Sequence, residues 1–143
     1  MKFNNETIRE AVKEWLEDAT KAESKYGHIS SWDTSEVIDM SSLFQMAEFF
    51  DDDISRWNVS KVKDMNRMFL EAMDFNQDIG RWNVSNVLNM ECMFVNATSF
   101  NQDIGKWNVS KVKNMWNMFC YASSFNQNLR NCNRAFTLSR GCI

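Results

Sequence analysis

The strongest constraint on this chain is a 25-residue repeat built from aromatic and aliphatic side chains. Its clearest markers are four evenly spaced tryptophans, Trp32, Trp57, Trp82 and Trp107. A fixed period of about 20–50 residues is typical of stacked supersecondary units rather than of a closed globule. We therefore divide the chain into an N-terminal segment at 1–28, four repeats at 29–53, 54–78, 79–103 and 104–128, and a degenerate fifth repeat or tail at 129–143.

The second half of each repeat has the spacing of an amphipathic helix. In the second repeat the apolar residues Val62, Met65, Met68 and Ala72 follow one another at steps of three or four, which places them on one helical face. Ser60 stands just before this stretch and suits the N-cap position, because its hydroxyl can accept a free backbone N–H. The sequence therefore predicts one short helix per repeat.

The first half of each repeat alternates between apolar and polar residues. In the third repeat Trp82 and Val84 are apolar, whereas Arg81 and Asn83 are polar, and a period of two is typical of a strand. Stacked units of this kind predict an α/β repeat fold, a leucine-rich-repeat-like solenoid of about four strand–helix coils. In such a fold the tryptophan, methionine and phenylalanine columns form the core.

Residues 1–28 are expected to cover the first repeat with a capping helix. Between Glu6 and Tyr26 apolar side chains recur on one helical face, Asn5 can cap the start, and Gly27 suits a left-handed stop. Terminal repeats need such caps because their apolar face has no neighbour. The alternative is a helix that binds a membrane surface or a partner, which the acidic polar face disfavours.

Composition narrows the class of protein. The chain has 143 residues with no proline and four glycines, which fits one ordered domain rather than a disordered or collagen-like segment. No apolar run reaches the roughly 18 residues of a membrane helix, and the charged start lacks the pattern of a signal peptide. The net charge of −3 disfavours nucleic acid as a partner.

Residues suited to catalysis or metal binding are few. His28 is the only histidine, and the sequence has no glycine-rich phosphate loop, so we expect neither enzyme activity nor a cofactor. Asp53, Asp78 and Asp103 form a column of carboxylates for which Ca²⁺ is an alternative ligand. We interpret them as turn residues, because Asp favours turns by bonding its own backbone, and we expect no metal site.

Asparagines form two further columns, one at Asn58, Asn83, Asn108 and Asn133 and one at Asn76, Asn101 and Asn126. Stacked side-chain amides can satisfy one another and the backbone along such a column. The first three residues of the first column also begin the triplets Asn-Val-Ser, which match the glycosylation sequence. Because these triplets arise from the repeat itself, we interpret them as structural.

Four cysteines lie late in the chain, at Cys92, Cys120, Cys132 and Cys142. Neighbouring repeats can bring Cys120 near Cys92 or Cys142, so a disulfide is an alternative, although its geometry is demanding. Cys132 replaces the repeat tryptophan and fits a small core residue. We expect free thiols, and the spacing excludes a CxxC zinc or redox motif.

The longest match between repeats reads Phe-Asn-Gln-Asp-Ile-Gly-x-Trp-Asn-Val-Ser-x-Val-x-x-Met-x-x-Met-Phe-x-x-Ala, at 75–97 and again at 100–122. It resembles the repeats of the BspA-like leucine-rich-repeat surface protein family, which also occur in mycoplasma-type surface lipoproteins, microalgae and large DNA viruses. The resemblance covers about residues 29–128. It implies a leucine-rich-repeat-like solenoid, a place on a cell or particle surface, and adhesion or protein binding. It carries over no catalytic residues.

The function predicted from these patterns is a non-catalytic repeat scaffold that binds another protein. Arg56, Arg81 and Lys106 align on the outward side of the tryptophan segments and are one candidate contact row. The alternative is a structural component of a particle or of a self-associating array. Polysaccharide binding by the tryptophans is a third possibility, which their expected place in the core disfavours.

Charge is distributed unevenly along the chain. All 19 acidic residues lie at or before Asp103, whereas residues 104–143 carry six basic residues and no carboxylate. If the repeats stack in order, the molecule has an acidic end and a basic end. The candidate contacts at the basic end are Lys113, Trp116, Arg130, Arg134 and Arg140. We expect them to bind an acidic partner or the acidic end of another copy, in a head-to-tail contact that need not close into a ring.

Overall fold

The computed structural model describes residues 1–129. Its helices are α1 (Asn5–Glu17), α2 (Ala19–Tyr26) and a single 3₁₀ turn (Ile29–Ser31). The sequence predicted one continuous helix over 6–26, but the chain breaks at Asp18, whose backbone is extended. The Asp18 side chain accepts from the backbone N–H of Lys21. Asp competes with the helix for backbone donors and favours caps, so it ends α1 and starts α2.

The start of α1 is tied to the edge of the first repeat. Asn4, rather than the predicted Asn5, is the N-cap, and its side chain accepts from the backbone two and three residues on. Asn5 Oδ1 instead accepts from the backbone N–H of Ile38 at 2.8 Å. In the second repeat the equivalent N–H, that of Lys63, donates to the Ile38 carbonyl oxygen at 2.7 Å. The Asn5 side chain therefore supplies the acceptor that a preceding repeat supplies elsewhere in the stack.

The predicted fold class is wrong. Within residues 1–129 the repeats contain no α-helix and no strand longer than a single bridge. The β contacts there are isolated parallel bridges, namely Lys2↔Asp33, Asp39↔Asp64, Asp64↔Asn89 and Asn89↔Asn114. The protein is therefore not a leucine-rich-repeat-like solenoid of strand–helix coils. Its repeats are runs of turns that lie one on another in 25-residue register.

In the segment predicted as a helix, some backbone N–H groups donate to acceptors in the same repeat and others donate to acceptors in the next repeat. The Met68 N–H bonds back to the Met65 carbonyl oxygen, whereas the Phe69 N–H donates to a carbonyl oxygen of the next repeat. Arg67 and Glu71 have left-handed backbone, with φ of 57° and 59°, a conformation that a right-handed α-helix does not contain. Turns of three residues reproduce the apolar spacing of a helix, so the two structures share one sequence pattern.

Ser60 does not cap a helix. Asn58 Oδ1 accepts from the backbone N–H and from the hydroxyl of Ser60, at 3.0 and 2.7 Å. Asn83 makes the same two contacts with Ser85 in the third repeat. Asn58, Asn83 and Asn108 therefore form local turns inside their own repeats, and their amides do not bond one another along the stack. Asn133 lies outside the described residues.

Aromatic side chains form columns through the core. Rings of successive repeats lie nearly parallel, with centroids 5.5–5.6 Å apart, at Phe44, Phe69, Phe94 and Phe119. Each ring also stacks on a phenylalanine of its own repeat, as Phe69 does on Phe75 at 4.1 Å. The repeat tryptophans are buried at 3–4% exposure. The sequence predicted these core columns correctly, although it assigned them to the wrong secondary structure.

Candidate binding surfaces

Arg56, Arg81 and Lys106 are exposed side chains at one register, and we call them the basic row. Each directly precedes a buried tryptophan, so the alternation of the sequence turns the basic side chain outward although the segment is not a strand. Within residues 1–129 none of the three forms an ion pair. The row therefore presents a positively charged strip to solvent.

The structure describes only part of the predicted basic end. Lys113 is exposed and Trp116 is 59% exposed, whereas the candidates Arg130, Arg134 and Arg140 lie outside the described residues. Sequence reasoning missed Tyr121, which lies in the same repeat and is 73% exposed. We call Trp116 and Tyr121 the terminal aromatics. Both are exposed aromatic side chains of the fourth repeat.

Sequence reasoning also missed an apolar groove where the helices meet the first repeat. It has a volume of about 420 Å³ and is lined by Trp15, Leu16 and Ala19, by residues 45–50, and by Asp52. Three of its apolar side chains remain exposed, Leu16 at 42%, Met46 at 67% and Phe49 at 80%. We call this surface the cap groove.

Comparison of equivalent positions in the repeats could have found both apolar surfaces. The position of Phe49 is polar in the later repeats, at Asp74, Ser99 and Ser124. The position of Trp116 is polar in the earlier repeats, at Ser41, Asn66 and Glu91. The position that holds Met46 and Tyr121 in the outer repeats holds Glu71 and Asn96 in the inner ones. The repeat itself therefore does not require a large apolar side chain at these outward positions.

The two apolar surfaces have opposite electrostatic surroundings. Residues 1–53 contain thirteen acidic and five basic residues, and Glu48 and Asp52 line the cap groove. The indole N–H of Trp15 donates to Asp52 Oδ2 at 2.8 Å, which holds this carboxylate against the groove. Residues 104–129, which include the terminal aromatics, contain three lysines and no carboxylate.

The aspartate column bonds its own backbone, as predicted for turn residues. Asp53 Oδ1 accepts from the backbone N–H of Ser55 at 2.9 Å, and the equivalent contacts occur at Asp78 and Asp103. The hydrogen bonds from Ser55 hold the pKa of Asp53 below its usual value. In the described part of the chain no group of three His, Cys, Asp or Glu side chains could hold a metal ion.

The second asparagine column does link successive repeats. Asn76 Oδ1 accepts from the backbone N–H of Asn101 at 3.0 Å and from Gln102 Nε2 at 3.0 Å. Asn101 makes the same contacts with the fourth repeat. The predicted ladder is therefore present, but its asparagine oxygens accept from backbone and glutamine donors rather than from one another.

His28 has structural contacts. Its Nδ1 accepts from the backbone N–H of Ser30 at 3.2 Å and lies 2.8 Å from the Ser30 hydroxyl oxygen. The ring packs edge-on against Trp15, with centroids 5.2 Å apart. These contacts fix the turn that leads from α2 into the first repeat.

The two cysteines in the described part of the chain differ in oxidation state. Cys92 is a free thiol. Its pKa is raised mainly by burial and, to a smaller extent, by the negative charge of Glu91. Cys120 is disulfide-bonded, so the expectation of free thiols is wrong for this residue. Cys132 and Cys142 lie outside the described residues.

Comparison with known proteins places the chain in a family. The family described as "Mycoplasma protein of unknown function, DUF285" matches residues 10–132. The chain belongs to this family. The match confirms the mycoplasma-type part of the resemblance noted in the repeats, and it assigns no activity to the DUF285 chain. No curated protein and no solved structure matches the chain significantly. None of the helices in residues 1–129 has the length and apolar character needed to cross a membrane.

Proposed function

We propose that this DUF285 protein is a non-catalytic module that binds another protein through side chains displayed on its stacked repeats. The observation that carries the proposal is the contrast between constant buried columns and changing outward positions. The repeat tryptophans are all 3–4% exposed, whereas the outward position of Phe49 carries aspartate or serine in the later repeats. A constant core with a varied surface supports a specific contact pattern on one face.

The basic row is the charged part of the proposed contact. Its three side chains belong to successive repeats, whose stacked phenylalanine rings are 5.5–5.6 Å apart. Charges repeated on so short a scale act together on one acidic partner surface and accelerate association. By the family resemblance, this partner meets the protein at a cell or particle surface.

The test begins with capture and identification of a partner on the immobilised full chain, followed by affinity measurement with purified components. We expect the variant Arg56→Glu, Arg81→Glu, Lys106→Glu to bind at least about tenfold more weakly at low salt, because reversed charges repel an acidic surface. The matched control reverses Lys13, Lys21 and Lys63, which are also exposed. An unchanged affinity in the basic-row variant, with unchanged thermal unfolding, would reject the row as the contact.

A second candidate function is assembly into a particle or array. The observation that favours it is the pair of exposed apolar surfaces on the first and fourth repeats, at Phe49 and at Trp116 and Tyr121. Apolar side chains this exposed at positions that the repeat leaves polar are typical of interaction sites. Self-association at micromolar concentration, measured by sedimentation or light scattering, distinguishes this function from binding to a different protein.

A further inference from the structure

We infer that the cap groove binds the terminal aromatics of a second copy of this chain. The contact would join the first repeat of one copy to the fourth repeat of another. This inference rests on the second candidate function and names its two surfaces, which comprise Leu16, Met46 and Phe49 on one side and Trp116 and Tyr121 on the other.

The two surfaces suit each other because one is a groove with an apolar rim and the other consists of large apolar side chains. The groove has a volume of about 420 Å³, within the range of pockets that enclose a compact apolar group. Its rim side chain Phe49 is 80% exposed. Trp116 and Tyr121 are large, rigid side chains that gain most from such burial, because an aromatic side chain removes roughly 150–250 Å² from water.

The charges around the two surfaces favour a second copy of the chain as the partner that occupies the cap groove. Glu48 and Asp52 line the groove, and Asp51 and Asp53 flank it in the sequence. Lys113 is exposed three residues before Trp116, in a segment without carboxylates from 104 to 129. The apolar contact would thus bring Lys113 of one copy toward carboxylates of another, whereas two cap grooves facing each other would place like charges together.

The positions of the surfaces determine the symmetry of the contact. The cap groove lies at the first repeat and the terminal aromatics at the fourth, with two repeats between them. Different surfaces meet, so one such contact alone is heterologous, and a second, reciprocal contact between the same two copies would close a two-fold dimer. Each copy has one groove and one aromatic surface, and association continues head to tail until it closes or is blocked.

The test uses two full-length variants that block opposite surfaces. Met46→Ser, Phe49→Asp removes the groove rim, and Trp116→Ser, Tyr121→Ser removes the aromatics. All four side chains are exposed, so these variants are expected to fold as the wild type does. Ile38→Ser is the matched control, because Ile38 is an exposed apolar side chain, at 43%, outside both surfaces.

Sedimentation velocity at low salt should show wild type and Ile38→Ser as a concentration-dependent series of oligomers. Each blocked variant alone should associate at least about thirtyfold more weakly, as expected for the loss of a central aromatic contact. An equimolar mixture of the two blocked variants should form a 1:1 dimer and nothing larger, since one intact groove meets one intact aromatic surface. Physiological salt should weaken all of these associations by screening the charges.

A monomeric wild type at low salt, or a mixture without the 1:1 dimer, would overturn the inference. Association that survives in both blocked variants would also overturn it. The basic-row experiment separates this failure from failure of protein binding, because the residues Arg56, Arg81 and Lys106 belong to neither surface. A foreign partner that binds the groove while the wild type stays monomeric would leave the general binding role standing and reject the second copy as occupant.

Discussion

The indole N–H of Trp82 donates a hydrogen bond of 3.1 Å to the carbonyl oxygen of Ile54 in the preceding repeat. The same contact recurs one repeat earlier and one repeat later, at 2.9 and 3.0 Å. Each tryptophan therefore fills the core of its own repeat and satisfies a backbone acceptor of its neighbour. The Ile54 carbonyl oxygen also accepts from the backbone N–H of Trp57 in its own repeat, so the indole bond is the contact by which this acceptor joins adjacent repeats.

Truncation of Trp82 should strongly destabilise the protein. We expect Trp82→Ala to lower the free energy of unfolding by about 3–5 kcal/mol, because it removes a large core side chain and leaves a cavity. Trp82→Phe should lower it less, by about 1 kcal/mol, because it removes only the indole hydrogen bond to Ile54, whose carbonyl oxygen also accepts from the backbone N–H of Trp57. Urea unfolding measures both, and Trp116→Ala is the exposed control, for which we expect a change within about 0.5 kcal/mol. Similar losses at Trp82 and Trp116 would contradict the structure.

Asn101 should tolerate aspartate better than alanine. Its Oδ1 accepts from the backbone N–H of Asn126 at 2.9 Å and from Gln127 Nε2 at 3.0 Å. In the first repeat Asp51 occupies the same place and accepts in the same way. We therefore expect Asn101→Ala to cost about 1 kcal/mol of unfolding free energy and Asn101→Asp to cost less, in parallel urea titrations. The reverse order would show that the side-chain oxygen is not what joins these repeats.

A methyl group at Gly80 should separate two repeats. A Cβ atom there would lie 2.4 Å from the carbonyl oxygen of Asp103, a backbone atom of the next repeat. At Gly105 the nearest atoms would be 3.0 and 3.1 Å away. We expect Gly80→Ala to lower the unfolding free energy by about 1–3 kcal/mol, the usual cost of overpacking, and Gly105→Ala to lower it less. Thermal unfolding of the two variants provides the comparison, and an equal effect would refute the close approach at Gly80.

The stability of the turn at Asp53 should depend on pH in the acid range. The hydrogen bonds from Ser55 lower the folded-state pKa of Asp53 below the unfolded value, which is about 3.9. The charged carboxylate therefore adds stability above that value, and this contribution is lost as the pH falls through the lowered folded-state pKa. Urea midpoints measured across this range should separate wild type from Asp53→Asn above about pH 4 and converge below it.

The control for this titration is Glu10→Gln, at an exposed carboxylate on α1. We expect its urea midpoint to follow that of the wild type, because the Glu10 side chain is exposed and forms no ion pair within residues 1–129. A gap between wild type and Asp53→Asn that does not change with pH would show that Ser55 bonds the neutral and charged side chains equally.

The sequence was sufficient to predict the buried columns of the repeats and the exposure of the basic row. The 25-residue register places each repeat tryptophan in the core and Arg56, Arg81 and Lys106 on the surface, as observed. Burial follows from side-chain chemistry, because apolar area gains free energy in any packed arrangement. The aspartate turns were predictable for a similar reason, since their hydrogen bonds span only two residues.

The cap groove could not be derived from one repeat at a time. Leu16 lies on α1 and Phe49 lies in the first repeat, and the sequence does not show that they border one groove. The helix break at Asp18 and the contact of Asn5 with Ile38 set the position of the helices. Phe49 was nevertheless visible as an exception, because its equivalents in the later repeats are polar.

By itself, then, the sequence determined the repeat period, the core columns and the exposed charges. The tertiary structure alone decided the backbone conformation within each repeat. An apolar spacing of three or four residues fits both an α-helix and a run of turns. The choice depends on where the N–H groups find acceptors, and the Phe69 N–H finds its acceptor at Met93, 24 residues later in the chain, at 2.9 Å. Hydrogen bonds between repeats replace those of a helix, and a local sequence pattern does not predict bonds between residues so far apart in the chain.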